Sequence, residues 1–315
     1  MNNPRDILLD NIVKNLLTSY SEIPELINKQ EYHLPTRECV TALTHELEAL
    51  LYPGLINTAK MDGGFTYQIG NNVNEAFSKL NDMVYDCLNY AIRCQSLRLK
   101  PPHQSTPIRE QAQEITYQFF MSFPEIRKLI LLDLQAAYQG DPAAKSYAEI
   151  ILSYPGLRAL VIHRMAHVLH NLNVPILPRM MSEYVHNRTG IDIHPAAQIG
   201  HSLFIDHGTG VVIGETTIIG NHVKIYQGVT LGAVSIPDPD TEQNIKRHPT
   251  IEDDVTIYSG ASILGGQTTV GARSVIGSNV WLTKSVPPDT KVLYVPPDLR
   301  FKQMEPESFV LQYYI

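Results

Sequence analysis

A six-residue repeat of branched aliphatic residues begins at Ile193 and runs through most of the remaining chain. An alternating strand repeats every two residues and a helix about every 3.6, so neither explains a period of six. A triangular coil does, because each of three six-residue sides points one aliphatic residue inward and roughly 18 residues complete a turn. Successive coils then stack at strand spacing, about 4.8 Å. The repeat positions are Ile193, Ile199, Ile205, Val211, Thr217 (the one break), Val223, Val229, Ile251, Ile257, Ile263 and, after a slip of one residue, Val270, Ile276 and Leu282.

The repeat resembles that of the hexapeptide-repeat proteins, which implies a left-handed parallel β-helix. The first 190 residues instead carry apolar positions at helical spacing, with proline in several first turns and glycine where helices should stop. The predicted helices are 7–20, 36–51, 72–99, 106–120, 124–139, 142–152, 155–172 and 178–187, with an irregular loop at 59–70. We therefore predict an α+β protein with three parts: an α-helical N-terminal oligomerisation domain (1–190), a β-helix (191–290) and a C-terminal tail (291–315).

Composition and charge argue against several classes of protein. The chain has 315 residues, is 43% hydrophobic and carries a formal charge of −7, so nothing global favours nucleic acid or anionic membrane. Its three cysteines form no C-x-x-C pair, which argues against a disulfide framework or a zinc knuckle. We see neither a signal peptide nor an apolar run near the roughly 18 residues that a membrane span requires. A cytoplasmic location is expected.

The β-helix repeat is interrupted after Ala233. A coil cannot absorb so many residues out of period, so we predict that residues 234–249 project as a loop. The loop returns through Lys246-Arg247-His248-Pro249, which puts a guanidinium next to an imidazole. Either this pair binds a ligand or it is a solvated loop end.

Five histidines in or near the β-helix raise the question of a metal site. Zinc ligands must converge at about 2.0–2.1 Å from one ion. His201 and His207 occupy consecutive sides of the coil, and no histidine pair has the spacing of about 18 residues that would stack two rings on one side. We therefore predict no metal site within one subunit, and a site between subunits stays open.

A second group surrounds His207, which lies between Asp206 and Gly208. Asp192 lies 15 residues earlier, nearly one coil, so its carboxylate can reach His207 from the neighbouring coil. An Asp–His pair holds the imidazole in one tautomer and stabilises the imidazolium that forms when it takes a proton. The alternative is a turn histidine beside a turn aspartate.

Several segments together resemble the serine O-acetyltransferase family. They cover roughly residues 133–288, about half of the chain, and are far more specific than the repeat alone. The matching segments are Gly140-Asp141-Pro142-Ala143, His163-Arg164-Met165-Ala166-His167, Asp192-Ile193-His194-Pro195-Ala196-Ala197, Asp206-His207-Gly208-Thr209-Gly210, Val212-Ile213-Gly214-Glu215-Thr216, Val229-Thr230-Leu231-Gly232, Arg247-His248-Pro249 and Ile263-Leu264-Gly265.

The resemblance implies acetyl transfer from acetyl-CoA to the hydroxyl of L-serine, giving O-acetylserine and CoA in cysteine biosynthesis. It implies that His207 is the general base and that Asp192 orients it. Asp141 and Asp206 would bind the serine ammonium, and Arg247 with His248 would bind its carboxylate, an arrangement that suits a zwitterion. Asp141 has a competing role, because an aspartate directly before Pro142 is suited to a helix N-cap.

The resemblance also implies a groove for acetyl-CoA between neighbouring β-helices and no permanently bound cofactor. The matching positions are Gly232, Ala233, Ser259, Gly260, Ala261, Gly277 and Ser278, each of which tight coil packing would also explain. Charge alone makes Arg273 and Lys284 candidate phosphate neighbours. Two segments depart from the family pattern, the loop after Leu231-Gly232 and the segment Tyr294-Val295-Pro296-Pro297, and both touch the groove.

The resemblance further implies a homotrimer, or a hexamer made of two trimers. It implies feedback inhibition by L-cysteine, which carries the same ammonium and carboxylate as serine. A C-terminal isoleucine, here Ile315, suggests binding to O-acetylserine sulfhydrylase, since terminal carboxylates are captured in this way elsewhere. Two other functions stay open, an acetyltransferase of this fold with a sugar or homoserine as acceptor, and a non-catalytic scaffold.

Overall fold

The structure, a computed structural model, describes residues 4–22, 33–56, 64–93, 107–234 and 245–295. Helices fill the first part and short parallel strands fill the second, as the predicted fold class requires. The helices are α1 (Pro4–Tyr20), α2 (Arg37–Leu51), α3 (Phe65–Arg93), α4 (Ile108–Met121), α5 (Phe123–Gly140), α6 (Tyr147–Ser153), α7 (Pro155–Asn171) and α8 (Leu177–Thr189). Within the described residues, no helix is both long and apolar enough to cross a bilayer.

Helix ends follow the local chemistry of the sequence, with two corrections. Proline occupies the first turn of α5, α7 and α8, and Gly190 ends α8 with a φ of 69°. The predicted loop at 59–70 was wrong in its second half, because α3 begins at Phe65. The proposed N-cap role of Asp141 was also wrong. Helix α6 begins only at Tyr147, and the Ser146 hydroxyl caps it by accepting the N–H of Glu149.

The strands form three parallel sheets, which we call faces A, B and C. Face A contains β1 (Asp192–Ile193), β4 (Val212–Ile213), β7 (Thr230–Gly232), β10 (Ser262–Leu264) and β13 (Trp281–Leu282). Face B contains β2 (Gln198–Ile199), β5 (Ile218–Ile219), β8 (Thr250–Ile251) and β11 (Thr269–Val270). Face C contains β3 (Phe204–Ile205), β6 (Lys224–Ile225), β9 (Thr256–Ile257), β12 (Val275–Ile276) and β14 (Lys291–Val292).

The chain visits the faces in the order A, B, C, so the coil has three edges. The AB edge includes residues 194–197, 214–217, 245–249 and 265–268. The BC edge includes residues 200–203, 220–223, 252–255, 271–274 and 287–290. The CA edge consists of residues 206–211, 226–229, 258–261 and 277–280. These edges carry the candidate site.

Coil length varies, which corrects the predicted row of strand positions. Ile193 lies beside Ile213, so the first coil takes 20 residues, whereas Ile213 lies beside Leu231, so the next takes 18. The extra two residues are in the corner 206–211, which contains His207. After them the buried strand positions are Ile213, Ile219, Ile225 and Leu231, while Val211, Thr217, Val223 and Val229 are buried corner residues.

A buried ion pair joins the helical part to the first coil. Asp133 on α5 accepts two hydrogen bonds from Arg164 on α7, at 2.6 and 2.8 Å, and a third from the backbone N–H of Leu203 at 3.0 Å. Arg164 also donates to the Gly200 carbonyl at 2.8 Å. Both side chains are almost fully buried. Hydrogen bonds on all sides satisfy the two charges, so the BC edge is held in a fixed position against α5 and α7.

Candidate active site

His207 lies on the CA edge, in the corner that holds the two extra residues. Its φ is 57°, in the left-handed region, and its imidazole is exposed to solvent. The next residue must be glycine, because a Cβ at Gly208 would lie 2.4 Å from the Ile191 side chain and its φ is 81°. Packing of Gly208 against Ile191 therefore fixes the backbone of this corner, and the His207 imidazole points outward from it.

Two carboxylates lie near the imidazole. The Asp206 Oδ1 is 3.8 Å from the His207 Nε2. Asp141, which follows α5, accepts a 2.5 Å hydrogen bond from the Tyr154 hydroxyl and a 2.8 Å bond from the backbone N–H of Ala143. The Tyr154 bond is the main cause that lowers the pKa of Asp141, and the Ala143 N–H and the His207 imidazole act in the same direction. Two anions and one base thus share a solvent-facing site.

Tyr154 is a site residue that the sequence analysis missed. It occupies the N-cap position of α7, directly before Pro155. In the sequence this position indicates only the start of a helix. Its hydrogen bond to Asp141 raises the pKa of the phenol to about 12. Its hydroxyl remains a donor at neutral pH and fixes the direction of the Asp141 carboxylate.

Asp192 lies on face A, one coil from His207. Its carboxylate is 3.9 Å from Arg179 on α8. Among the described residues, the carboxylate within 4.0 Å of a His207 ring nitrogen is that of Asp206. Ile191, the neighbour of Asp192, packs against Gly208, so the two predicted partners flank the same edge on adjacent coils. Their direct pairing stays a prediction.

His248 lies on the AB edge and is 8% exposed. Its ring covers Gly214, where a Cβ would lie 2.0 Å from the ring. The Thr216 backbone N–H donates to the His248 Nδ1 at 3.1 Å. Burial and then the neighbouring Arg247 charge lower the pKa of His248 to about 4, so the ring is neutral at pH 7. With Nδ1 accepting, the ring proton is on Nε2, which can donate to an anion.

Arg247 and its neighbours at the end of the predicted loop are held to the corner 214–217. The Arg247 guanidinium forms an ion pair with Glu215, and its backbone N–H donates to the Thr216 Oγ1 at 2.9 Å. Lys246 donates to the carbonyls of Thr216 and His248, at 3.0 and 2.7 Å. The loop base is therefore ordered, and Arg247 retains further N–H donors beside those that face Glu215.

The predicted substrate residues are thus divided between two edges of one chain. Asp141, Asp206 and His207 gather at the CA edge, while Arg247 and His248 lie at the AB edge, and face A separates the edges. The predicted cofactor positions divide in the same way. Ser259, Gly260, Ala261, Gly277 and Ser278 are on the CA edge, where the Ser259 and Ser278 hydroxyls are 3.3 Å apart. Gly232 is the last residue of β7, and Ala233 follows it at the AB edge.

Two expectations about charge and histidine stacking were wrong. Arg273 lies on the BC edge and makes two 2.7 Å bonds to Asp289, so its charge is already paired and away from the predicted cofactor positions. The rings of His201 and His222 do meet on one edge, in an edge-to-face contact with centroids 4.9 Å apart and planes at 87°, because a longer coil puts residues 21 apart on the same edge. Lys284 is exposed near the AB side of face A.

One group in the described chain has metal-ligand geometry. Ligand atoms of Glu183, His186 and Asp192 lie within 4.8 Å of one another. Arg179 forms ion pairs with both carboxylates of this group. The single guanidinium contacts both carboxylates and offsets one of their two negative charges, so the arrangement is that of an ion-pair network beside α8.

Comparison with known proteins gives a consistent result. The family model described as "Serine acetyltransferase, N-terminal" matches residues 85–161. A plasmid-encoded serine acetyltransferase of Synechococcus elongatus is 45% identical over 291 residues, covering 89% of this chain and 88% of the relative. The structure is similar to serine acetyltransferase isoform 3 of Entamoeba histolytica in complex with cysteine, with a TM-score of 0.70, 32% identity and coverage of 95% and 96% of the two chains. It is also similar to the Neisseria gonorrhoeae serine acetyltransferase in complex with serine, with a TM-score of 0.52, 28% identity and coverage of 84% and 99%.

Proposed function

This chain belongs to the serine acetyltransferase family, and we propose that acetyl-CoA is its acyl donor and that its site forms where the CA edge of one copy meets the AB edge of another. Its enzyme class is acyltransferase. The observation that carries the proposal is the exposed His207 imidazole, set beside Asp206 and close to Asp141.

His207 acts as the general base. Its imidazole takes the serine hydroxyl proton as the serine oxygen bonds to the thioester carbon, and the C–S bond then breaks. The same imidazolium returns its proton to the departing CoA sulfur, so the base is restored after each turnover. Asp192 holds the imidazole tautomer from the neighbouring coil. The Asp206 carboxylate, 3.8 Å from Nε2, favours the imidazolium that forms.

Serine binds through its two charged ends. Asp141 and Asp206 accept hydrogen bonds from the ammonium, and Asp141 is suited to this because Tyr154 and Ala143 keep it ionised and oriented. Arg247 and the Nε2–H of His248 donate to the serine carboxylate. Since these two donors lie across face A from His207 in one chain, a neighbouring copy supplies them.

A closed trimer satisfies this geometry. If the CA edge of each copy meets the AB edge of the next, face A of every copy turns toward the threefold axis. Two exposed apolar residues of face A support this arrangement, Val212 at 37% and Trp281 at 71% exposure. The acetyl-CoA groove then runs beside Ser259, Gly277 and Ser278, between neighbours. Pairing of two trimers through the helical domains gives the hexamer as the alternative assembly.

Mixing two impaired variants, assayed at a serine concentration far below the raised KM of R247A, tests the shared site. In trimers assembled from H207A and R247A chains, about one quarter of the interfaces combine an intact His207 edge with an intact Arg247 edge. We expect activity to return after co-refolding and to approach that fraction of wild type, measured by thiol release from acetyl-CoA. Absence of recovery in verified mixed trimers would place the site within one chain.

The acceptor is tested with a panel of serine, homoserine and sugars. We expect serine to give the highest kcat/KM, because the site offers an anion for the ammonium and a cation for the carboxylate. L-cysteine carries the same two groups and is bound in two of the related structures from Entamoeba histolytica. We expect cysteine to compete with serine, and a purely uncompetitive pattern would contradict a common site.

The C-terminal tail is proposed to bind O-acetylserine sulfhydrylase through Ile315, which lies outside the described residues. Deleting Ile315 should leave the trimer and its activity unchanged while weakening co-purification with that enzyme. Equal binding by the deleted and full-length chains would contradict the proposal.

A further inference from the structure

A column of four residues runs down the CA edge beside the proposed site. Asp206, Tyr226, Tyr258 and Gly277 each directly follow a strand of face C. Their backbone N–H groups donate to the next coil in register, at 2.9, 3.0, 2.9 and 2.8 Å. The inward neighbours Ile205, Ile225, Ile257 and Ile276 are buried, so the column faces out of the coil. An acidic residue, two aromatic rings and a glycine thus follow one another at strand spacing.

The two tyrosine rings are stacked. Their centroids are 5.0 Å apart and their planes differ by 13°. Tyr258 is 42% exposed, whereas Tyr226 is half-buried between Tyr258 and the Asp206 coil. A stacked partner on one side restricts the Tyr226 ring, since offset stacking of two aromatic rings is favourable. Tyr226 is therefore a restrained aromatic surface, while its hydroxyl stays partly accessible.

Tyr226 lies close to Asp206 and Asp141, the carboxylates proposed to bind the serine ammonium. Burial raises the pKa of the Tyr226 phenol, and the charges of Asp206 and Asp141 act in the same direction. On the other side of the column, Tyr258 directly precedes Ser259, and Gly277 directly precedes Ser278. Tyr226 is thus the side chain of the column between the carboxylates near His207 and the predicted cofactor positions.

We propose that Tyr226, braced by Tyr258, limits the size of the acyl group that the enzyme transfers. The inference rests on the proposed function, in which the thioester carbon must come within reach of a serine oxygen at His207. A donor whose CoA chain lies along Ser278 and Ser259 brings its acyl end past Tyr226. The ring then occupies the space that additional methylene groups of a longer acyl chain would need.

The test measures kcat/KM of wild type and variants with acetyl-CoA, propionyl-CoA and butyryl-CoA at saturating serine. We expect Y226A to raise the propionyl-to-acetyl ratio by about tenfold or more, the effect of one methylene on pocket discrimination. Y226F should keep the wild-type ratio, because the ring and not the hydroxyl sets the limit. Y258A should raise the ratio less, since it removes only the brace.

Controls separate this effect from general damage. Y117A, at an exposed tyrosine of α4, should leave the ratio unchanged. If Y226A fails to fold, Y226L keeps an apolar residue in the column and should still raise the ratio. An unchanged ratio in a folded, active Y226A or Y226L overturns the inference, as does an equal shift in Y226F. A wild-type enzyme that acetylates no serine overturns the proposed function instead, which keeps the two failures distinct.

Discussion

At the scale of single residues, the proposed base is the residue at which the repeat fails. His207 belongs to a corner with two extra residues and adopts a left-handed conformation. For a residue other than glycine this conformation costs about 1–2 kcal/mol. The exposed imidazole returns little of that cost through packing. Left-handed residues also occur in the regular corners, for example at Ser202, His222 and Asp254, so the two extra residues and the exposed imidazole are what set the His207 corner apart.

Replacing His207 with Asn removes the base and keeps the backbone, since Asn tolerates the left-handed region. We expect kcat to fall by about 10² to 10⁴ while the melting temperature stays that of wild type. Thiol-release kinetics and thermal unfolding check both parts. A variant that retains more than about a tenth of wild-type kcat would refute general-base catalysis by His207.

Replacing Arg247 with Ala should weaken serine binding through the carboxylate. We expect the KM for serine to rise by an amount equivalent to about 1.5–3 kcal/mol, with little change in the KM for acetyl-CoA. R247K, which keeps the charge without the planar fork, should be intermediate. Loss of acetyl-CoA affinity with normal serine kinetics would assign the loop base to the cofactor.

At the scale of elements, the AB edge depends on close packing of one corner against the loop base. Gly214 leaves room for the His248 ring, and Thr216 bonds both His248 and Arg247. The helical part is fixed to the first coil by the buried pair of Asp133 and Arg164. Each contact joins segments that are distant in sequence, which the local propensity of a single strand or helix could not bring together.

G214A should displace His248, because the added Cβ would overlap the ring at 2.0 Å. We expect a several-fold higher KM for serine and a lower melting temperature. G70A is the matched control, since nothing lies within 4 Å of its Cβ in α3. Equal behaviour of the two variants would show that the corner accommodates a methyl group freely.

D133A should leave Arg164 buried without its partner and lower the free energy of unfolding by about 3–5 kcal/mol. K128A on the same helix removes an exposed pair with Glu125 and should cost about 0–1 kcal/mol. Urea unfolding of both variants measures the difference. A small loss in D133A would mean that water satisfies Arg164 as well as Asp133 does.

At the scale of the whole molecule, the proposed trimer explains why an apolar face remains exposed in one chain. Face A presents Val212 and Trp281 outward, and its two edges carry the two groups of proposed substrate residues. Burial of such a surface against other copies is the expected outcome for an exposed apolar patch. In the proposed trimer, assembly and catalysis are coupled through the same face.

Trp281 is the chain's single tryptophan, so its fluorescence reports on this face directly. We expect blue-shifted emission in the trimer and a red shift on dissociation by dilution or urea. W281K should yield inactive monomers by light scattering, whereas Y117K on the helical surface should stay trimeric. An active monomer would refute the shared site.

Lowering the pH should reduce the free energy of unfolding at pH values where His248 of the folded chain is still neutral. Its pKa is about 4 when folded, against an ordinary value near 6.5 when unfolded, so the unfolded state binds the proton first. The free energy of unfolding should fall as the pH drops from about 6.5 to 4, by up to about 3 kcal/mol from this residue. H248Q should flatten that slope in urea titrations. An unchanged slope would show that His248 binds its proton equally well in the folded and unfolded states.

The sequence alone determined those features whose cause is local. A period of six requires one inward residue per side, and helical spacing with proline and glycine at the ends requires helices, so the coil, the helices and the motifs around His207 and Arg247 were predictable. Tertiary structure decided which residues share an edge, because position around a coil depends on every residue before it. Two extra residues at His207 moved the later strand positions and brought the His201 and His222 rings into edge-to-face contact. The same accumulated geometry brought Tyr154 to Asp141, aligned Tyr226 with Asp206, and put Arg247 on a different edge from His207.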